Sequence, residues 1–169
     1  GKVVKDIMKA TMRDRQLLFF SASINDATLD VAKSLVKDVE IFKAEKKSEI
    51  NPNIDHMYIT CDFRDRFETL RKLLAAELPT RAIVFINNNT ELKNIYEKLD
   101  YHKVKAIGIY GNASKEERQR ALDGFRSGKY NILVSSDLSA RGLDVPEVSH
   151  IINMDFPVNP DEYLHRAGR

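Results

Sequence analysis

Ala82-Ile83-Val84-Phe85-Ile86 is a run of five apolar residues with no polar alternation. A strand with one wet face alternates polar and apolar residues. A strand covered on both faces, as in a parallel sheet between helices, does not. Residues 16–20, 39–42, 54–60, 104–109, 131–135 and 150–153 read as further strands. Between them lie segments of helical period. Leu92, Ile95, Tyr96 and Leu99 fall at i, i+3, i+4 and i+7; Phe67, Leu70, Leu73 and Leu74 face inward from a helix over 63–78. Leu29, Ala32, Leu35 and Val36 line another helix, and Ala121, Leu122 and Phe125 a fourth. Helix starts are marked by Ser23 with Asp26, Asn88 with Glu91, Ser114 with Glu117, and Asn159-Pro160 with Glu162. Gly128 marks a helix end.

Strand–helix alternation of this kind predicts an α/β fold: an open, mostly parallel sheet with helices on both faces. A hydrophobic fraction of 43% supports a buried core. The net charge of +2 neither requires nor excludes nucleic acid, so any basic surface must come from placement. One cysteine, Cys61, cannot form an internal disulfide, and no apolar run approaches membrane-spanning length. Residues 43–53 are polar, lack periodicity and contain Pro52, and read as a linker.

Open parallel sheets bind ligands beyond the carboxyl ends of their strands. Four small-polar clusters fall there: Ser21-Ala22-Ser23, Asn87-Asn88-Asn89-Thr90, Tyr110-Gly111-Asn112, and Ser136-Asp137 through Asp144. In the last cluster, hydroxyls, loop amides and Arg141 suit phosphate oxygens, while Asp144 suits a ribose hydroxyl. The same residues also fit a plain surface loop with a helix cap, as Ser21 and Ser23 fit a cap alone. In Tyr163-Leu164-His165-Arg166-Ala167-Gly168-Arg169, Arg166 and Arg169 share a helix face. That pair suits a clamp on a phosphoryl group, and equally a basic helix end complementing its dipole.

Read in order, Ser-Ala-Ser, Ala-Ile-Val-Phe-Ile-Asn, Gly-Asn-Ala-Ser-Lys-Glu-Glu-Arg, Ser-Ser-Asp-Leu-Ser-Ala-Arg-Gly-Leu-Asp-Val-Pro and His-Arg-Ala-Gly-Arg resemble the DEAD-box ATP-dependent RNA helicases from motif III through most of motif VI. The resemblance covers essentially the whole chain and implies a RecA-like fold. It implies a coupling role for Ser21 and Ser23 in motif III. It implies RNA-backbone contacts from Asn87 and Asn88 (motif IV), from Gly111 and Arg118, and from Ser136, Asp137, Arg141 and Gly142 (motif V). Asp144 would reach the ATP ribose. Arg166 and Arg169 would be motif VI arginines, with Arg169 the better candidate for a phosphate contact. The sequence departs from the family pattern at Ser23 and Ser136, each standing for Thr with the hydroxyl kept, and at Tyr110, Asn112 and Lys115, standing for His, Asp and Gln. Lys115 exchanges an amide for a charge beside the expected RNA contact.

The resemblance further implies three parts: residues 1–43 as the tail of a first RecA-like domain, 44–53 as an interdomain linker, and 54–169 as a second RecA-like domain cut within motif VI. The cofactor implied is ATP with Mg2+, whose P-loop and Asp-Glu-Ala-Asp ligands would precede Gly1; no residue of this chain is assigned to a metal. The implied partners are single-stranded or duplex RNA, ATP and ribonucleoprotein components, with no membrane, in the cytoplasm or, in a eukaryote, the nucleus. The chain alone is expected to be inactive as an ATP hydrolase. Two rivals are a DNA helicase of the same superfamily and a non-catalytic RNA-binding or scaffolding domain; a flavodoxin-like module fits the alternation but not the arginine-bearing last helix.

Overall fold

The computed structural model describes residues 2–11, 14–20, 26–36, 38–42, 51–136, 145, 147–158 and 160–168. The chain divides into two compact units, Gly1–Lys47 and Ser48–Arg169.

Among its described residues the first unit carries two helices, α1 (Lys2–Ala10) and α2 (Asp26–Leu35). α2 forms where its periodicity predicts. α1 was not anticipated, because barely two turns of a lysine-rich stretch offer too few positions for a period to emerge. Residues 16–20 and 39–42, expected as strands, form none. Apolar composition sets how a strand is covered but does not provide a hydrogen-bonding neighbour, and among the described residues neither segment has one. Leu18 is 66% exposed and Phe20 90%.

The second unit is built on a four-stranded sheet: β1 (Ala82–Phe85), β2 (Ala106–Ile109), β3 (Ile132–Ser135) and β4 (His150–Asn153). All pairs are parallel, in the order β2-β3-β1-β4, with Val84 opposite Val134 on one side and Ile152 on the other. A short 3-10 turn (Phe63–Asp65) leads into α3 (Arg66–Glu77). α4 (Asn89–Tyr101) joins β1 to β2, α5 (Lys115–Arg126) joins β2 to β3, and α6 (Pro160–Ala167) follows β4. The expected strand over 104–109 begins later, at Ala106. Residues 54–60 are a further correction: they form no strand, and Met57 and Tyr58 are 86% and 85% exposed. Like 16–20, this segment has apolar side chains and no pairing partner among the described residues.

The unbroken apolarity of β1 follows from its position. Ala82, Val84 and Ile86 pack on one face with Leu70 and Leu74 of α3 and Leu92, Ile95 and Leu99 of α4. Ile83 and Phe85 pack on the other with Ala121, Leu122 and Phe125 of α5. Each Val, Leu, Ile and Phe among them contributes about 1.5–3 kcal/mol by leaving water. Capping sets the directions of the helices on both faces. Asn88 Oδ1 accepts from the amides of Thr90 (2.8 Å) and Glu91 (3.2 Å), opening α4. Ser114 and Glu117 form a reciprocal capping box on α5. The chain leaves β1 toward β2 and later crosses to β4 on β1's other side. The carboxyl ends of β1 and β4 lie side by side on the sheet edge beyond which such sheets bind ligands.

Candidate functional site

The carboxyl ends of β1 and β4 are joined by a polar network centred on Arg166. Its side chain, on α6, is 2% exposed. Nη1 donates to Asn153 Oδ1 (2.6 Å) and to the Asp155 carbonyl (2.7 Å), while Nη2 donates to Asn87 Oδ1 (2.9 Å). The guanidinium lies 4.6 Å from the centre of the Phe85 ring. A charge this deep survives only with such compensation, since an uncompensated buried cation is costly. The planar fork of Arg meets acceptors from two strand ends at once, which a point-charge ammonium cannot.

A second arginine extends the network. Arg66, the first residue of α3, donates to Asp155 Oδ1 (2.6 Å), to Glu91 Oε1 (3.2 Å) and to the Met154 carbonyl, and lies over the Phe63 ring. Asp155 uses its other oxygen, Oδ2, to accept from the Asn87 amide at 2.8 Å. Asn87 Nδ2 donates to the Phe156 carbonyl at 3.1 Å. The loops after β1 and β4, the start of α3 and the last helix are thus tied by four side chains: Arg66, Asp155, Asn87 and Arg166.

Asn88 and Asn89 continue this edge. Asn88 caps α4, and Asn89 Oδ1 accepts from the Gly111 amide at 3.1 Å. A Cβ at Gly111 would stand 3.0 Å from Asn89 Nδ2, so glycine permits the approach of the β2 loop to the β1 loop. Ser136, just beyond β3, is buried at 6% exposure, and Arg118 is half-buried near the start of α5. Among the sequence-expected site residues, Asn87 and Arg166 are brought into direct contact, and Asn88 and Gly111 stand beside them through Asn89. Ser21, Ser23, Asp137, Arg141, Gly142, Asp144 and Arg169 lie outside the described residues.

Sequence reading missed Arg66, Asn153 and Asp155, and placed Asn89 in the polar cluster after β1 without giving it a role. Arg66 carried a usable signal: a cation opening a helix opposes the macrodipole and so calls for an anion nearby. Asp155, directly after a strand in Asn153-Met154-Asp155-Phe156-Pro157, was the matching carboxylate. Around the same edge, the Ser114 amide and hydroxyl hold the Glu117 carboxyl below its usual range. Burial first, with nearby acidic groups, raises the phenols of Tyr96 and Tyr110, so both remain neutral hydroxyls at ordinary pH. Among the described residues no group of three or more His, Cys, Asp or Glu side chains could hold a metal ion, and no helix is long and apolar enough to cross a membrane.

Comparison with known proteins bears on what such an edge does. The family described as helicase conserved C-terminal domain matches residues 65–169. A DEAD-box ATP-dependent RNA helicase of Bacillus cereus, CshC, is 38% identical over 169 residues, covering 98% of this chain and 42% of the relative. The probable ATP-dependent RNA helicase YfmL of Bacillus subtilis is 36% identical, over 99% of this chain and 44% of the relative. This chain therefore spans less than half the length of these two curated relatives. The solved structure of S. cerevisiae Dbp5 bound to RNA and ADP BeF3 is similar over 100% of this chain and 45% of its own, at 28% identity with a TM-score of 0.82.

Proposed function

This chain belongs to the helicase conserved C-terminal domain family, among the DEAD-box RNA helicases, and from that premise we propose that it is the RNA-gripping, ATP-completing part of an ATP-dependent RNA helicase. The observation that carries the reading is the joined edge at β1 and β4. Asn87 and Arg166 meet there, so the loop expected to face RNA and the helix expected to face ATP are one mechanical unit. A change at a phosphate would be felt at the backbone-binding loop through that contact.

In this reading residues 1–43 are the end of a first RecA-like domain, 44–53 the linker, and 54–169 the second domain. Asn88, Gly111, Arg118, Ser136, Asp137, Arg141 and Gly142 meet the sugar-phosphate backbone. Asp144 accepts from the ATP ribose. Arg169 contacts the transferring phosphoryl group. Arg166, whose described donors are turned to Asn87, Asn153 and the Asp155 carbonyl, acts by holding α6, which Arg169 follows closely in sequence. Ser21 and Ser23 couple hydrolysis to strand separation. In this reading the magnesium ion accompanying ATP takes its ligands from the P-loop and Asp-Glu-Ala-Asp motifs of the whole protein. The protein works in the aqueous cell interior.

Backbone recognition has a consequence that separates it from base reading. Affinity for unrelated single-stranded RNAs is alike and falls as salt rises, because phosphate contacts release counterions. Arg118→Ala and Arg141→Ala each weaken binding to every sequence by a similar factor and flatten the salt dependence. Filter binding of three unrelated RNAs across a salt series checks this. A loss confined to one sequence would contradict it.

A further inference from the structure

Arg66 lies outside every motif that carries the family resemblance, yet it ties three separate segments together at the joined edge. It reaches both carboxylates available to it, Asp155 Oδ1 at 2.6 Å and Glu91 Oε1 at 3.2 Å, and also the Met154 carbonyl. Its side chain is only 16% exposed, against 23% for Asp155 and 29% for Glu91. The two acids do different work. Glu91 belongs to the first turn of α4, where the Asn88 side chain already fixes the helix start. Asp155 is a relay: with Oδ1 on Arg66, its Oδ2 is aimed at the Asn87 amide, and its backbone carbonyl accepts from Arg166. Without Arg66, the carboxylate would be left without its cation while remaining largely out of water. It would then turn toward solvent, and both its hold on Asn87 and the carbonyl offered to Arg166 would shift.

We propose that Arg66 is a positioning residue for phosphoryl transfer: through Asp155 it sets the Asn87 loop and the Arg166-bearing helix α6 in the arrangement the reaction needs. This rests on the helicase reading above. In this role Arg66 acts through Asp155 and not on the nucleotide or the RNA itself. Misplacement of a catalytic group by about 1 Å costs up to about 100-fold in rate, so a second-hand role of this kind is large enough to measure.

The test uses the whole protein, with RNA-stimulated ATP turnover and thermal midpoint measured for wild type, Arg66→Ala, Arg66→Lys and Glu91→Gln. Arg66→Ala should lower kcat by about 10- to 100-fold with KM for ATP within about twofold, since Arg66 governs the geometry of the reacting state and not the binding of ATP. Arg66→Lys, which keeps a cation on Asp155, should recover most of that rate. Glu91→Gln should lower the thermal midpoint while leaving kcat within about twofold, because it weakens the ion pair without touching the relay. Amide hydrogen exchange on the same variants supplies a readout independent of turnover: the Asn87 amide and those of α6 should exchange faster in Arg66→Ala, with β1 and β3 unchanged. Arg66→Ala and Glu91→Gln that lower the midpoint together and keep kcat would overturn the proposal, as would unchanged exchange at Asn87 and α6. A wild-type protein without RNA-stimulated turnover would instead overturn the helicase reading, and the exchange comparison would still decide whether Arg66 positions the edge.

Discussion

Two apolar runs in this chain look alike on paper and end in opposite environments. Ala82-Ile83-Val84-Phe85-Ile86 and Leu17-Leu18-Phe19-Phe20 both lack polar alternation. The first lies between two parallel neighbours, with helices on both faces, and Phe85 is 1% exposed. The second pairs with no described strand, and Phe20 is 90% exposed. The difference is one of neighbours and not of composition. A two-sided strand is a demand the sequence makes, and only the rest of a sheet can meet it. We propose that for residues 16–20 that sheet belongs to a first domain in the whole protein.

The comparison can be broken most directly at its two phenylalanines. In this 169-residue chain, Phe85→Ala should cost about 3–5 kcal/mol, combining the forfeited transfer energy with a cavity and the missing ring face under Arg166. Phe20→Ala in the same chain should stay within about 0.5 kcal/mol, as at any exposed site. Urea denaturation of both variants measures the contrast. If residues 1–43 are part of a larger domain, Phe20→Ala in the whole protein rises toward the Phe85 value. Equal small costs in both settings would remove the two-domain boundary.

The polar edge sharpens the same contrast, since it too depends on neighbours. Arg166→Met keeps the apolar stem over Phe85 but leaves Asn87, Asn153 and the Asp155 carbonyl short of a donor. It should cost about 2–3 kcal/mol. A denaturation midpoint equal to wild type would mean the guanidinium is dispensable to the fold. Smaller still is the cap on α5. Ser114→Ala should cost about 1 kcal/mol, visible as a lower thermal midpoint. Glu117 adds a pH dependence through that cap. Its carboxyl is held below its usual value, chiefly by the Ser114 amide. Its contribution is therefore complete above the unfolded carboxylate pKa of about 4.3 and fades as pH falls through the lower folded value. A midpoint–pH curve for Glu117→Gln should lack that acid-side decline, and an unchanged curve would show that the capping box is not the cause.

How much of this was readable beforehand follows the same line. Local chemistry read well. Asn88 and Ser114 cap the helices their positions announced, and β4 spans the expected residues 150–153. The parallel sheet with helices on both faces came from the missing alternation in Ala82–Phe85. Pairing did not read well: 16–20, 39–42 and 54–60 have strand-like side chains and no described partner, because partnership is a property of distant segments. At the edge, Asn87 was legible from its place after a strand, whereas its tie to Arg166 spans 79 positions. Arg66 and Asp155 went unnoticed because a cation opening a helix calls for an anion without saying which one, and the pairing appears only once α3 and β4 are side by side.

The claim that this edge serves ATP-driven work on RNA stands or falls with Arg169. RNA-stimulated ATP turnover by the whole protein, wild type against Arg169→Ala, is the direct measurement. The wild type should hydrolyse ATP far faster with RNA than without. Arg169→Ala should lose about 10³- to 10⁵-fold of that turnover, the worth of a charge clamp on a transferring phosphoryl group, with RNA binding in the absence of nucleotide nearly unchanged. Turnover unaffected by the substitution would reduce Arg169 to a charge at a helix end and contradict the account.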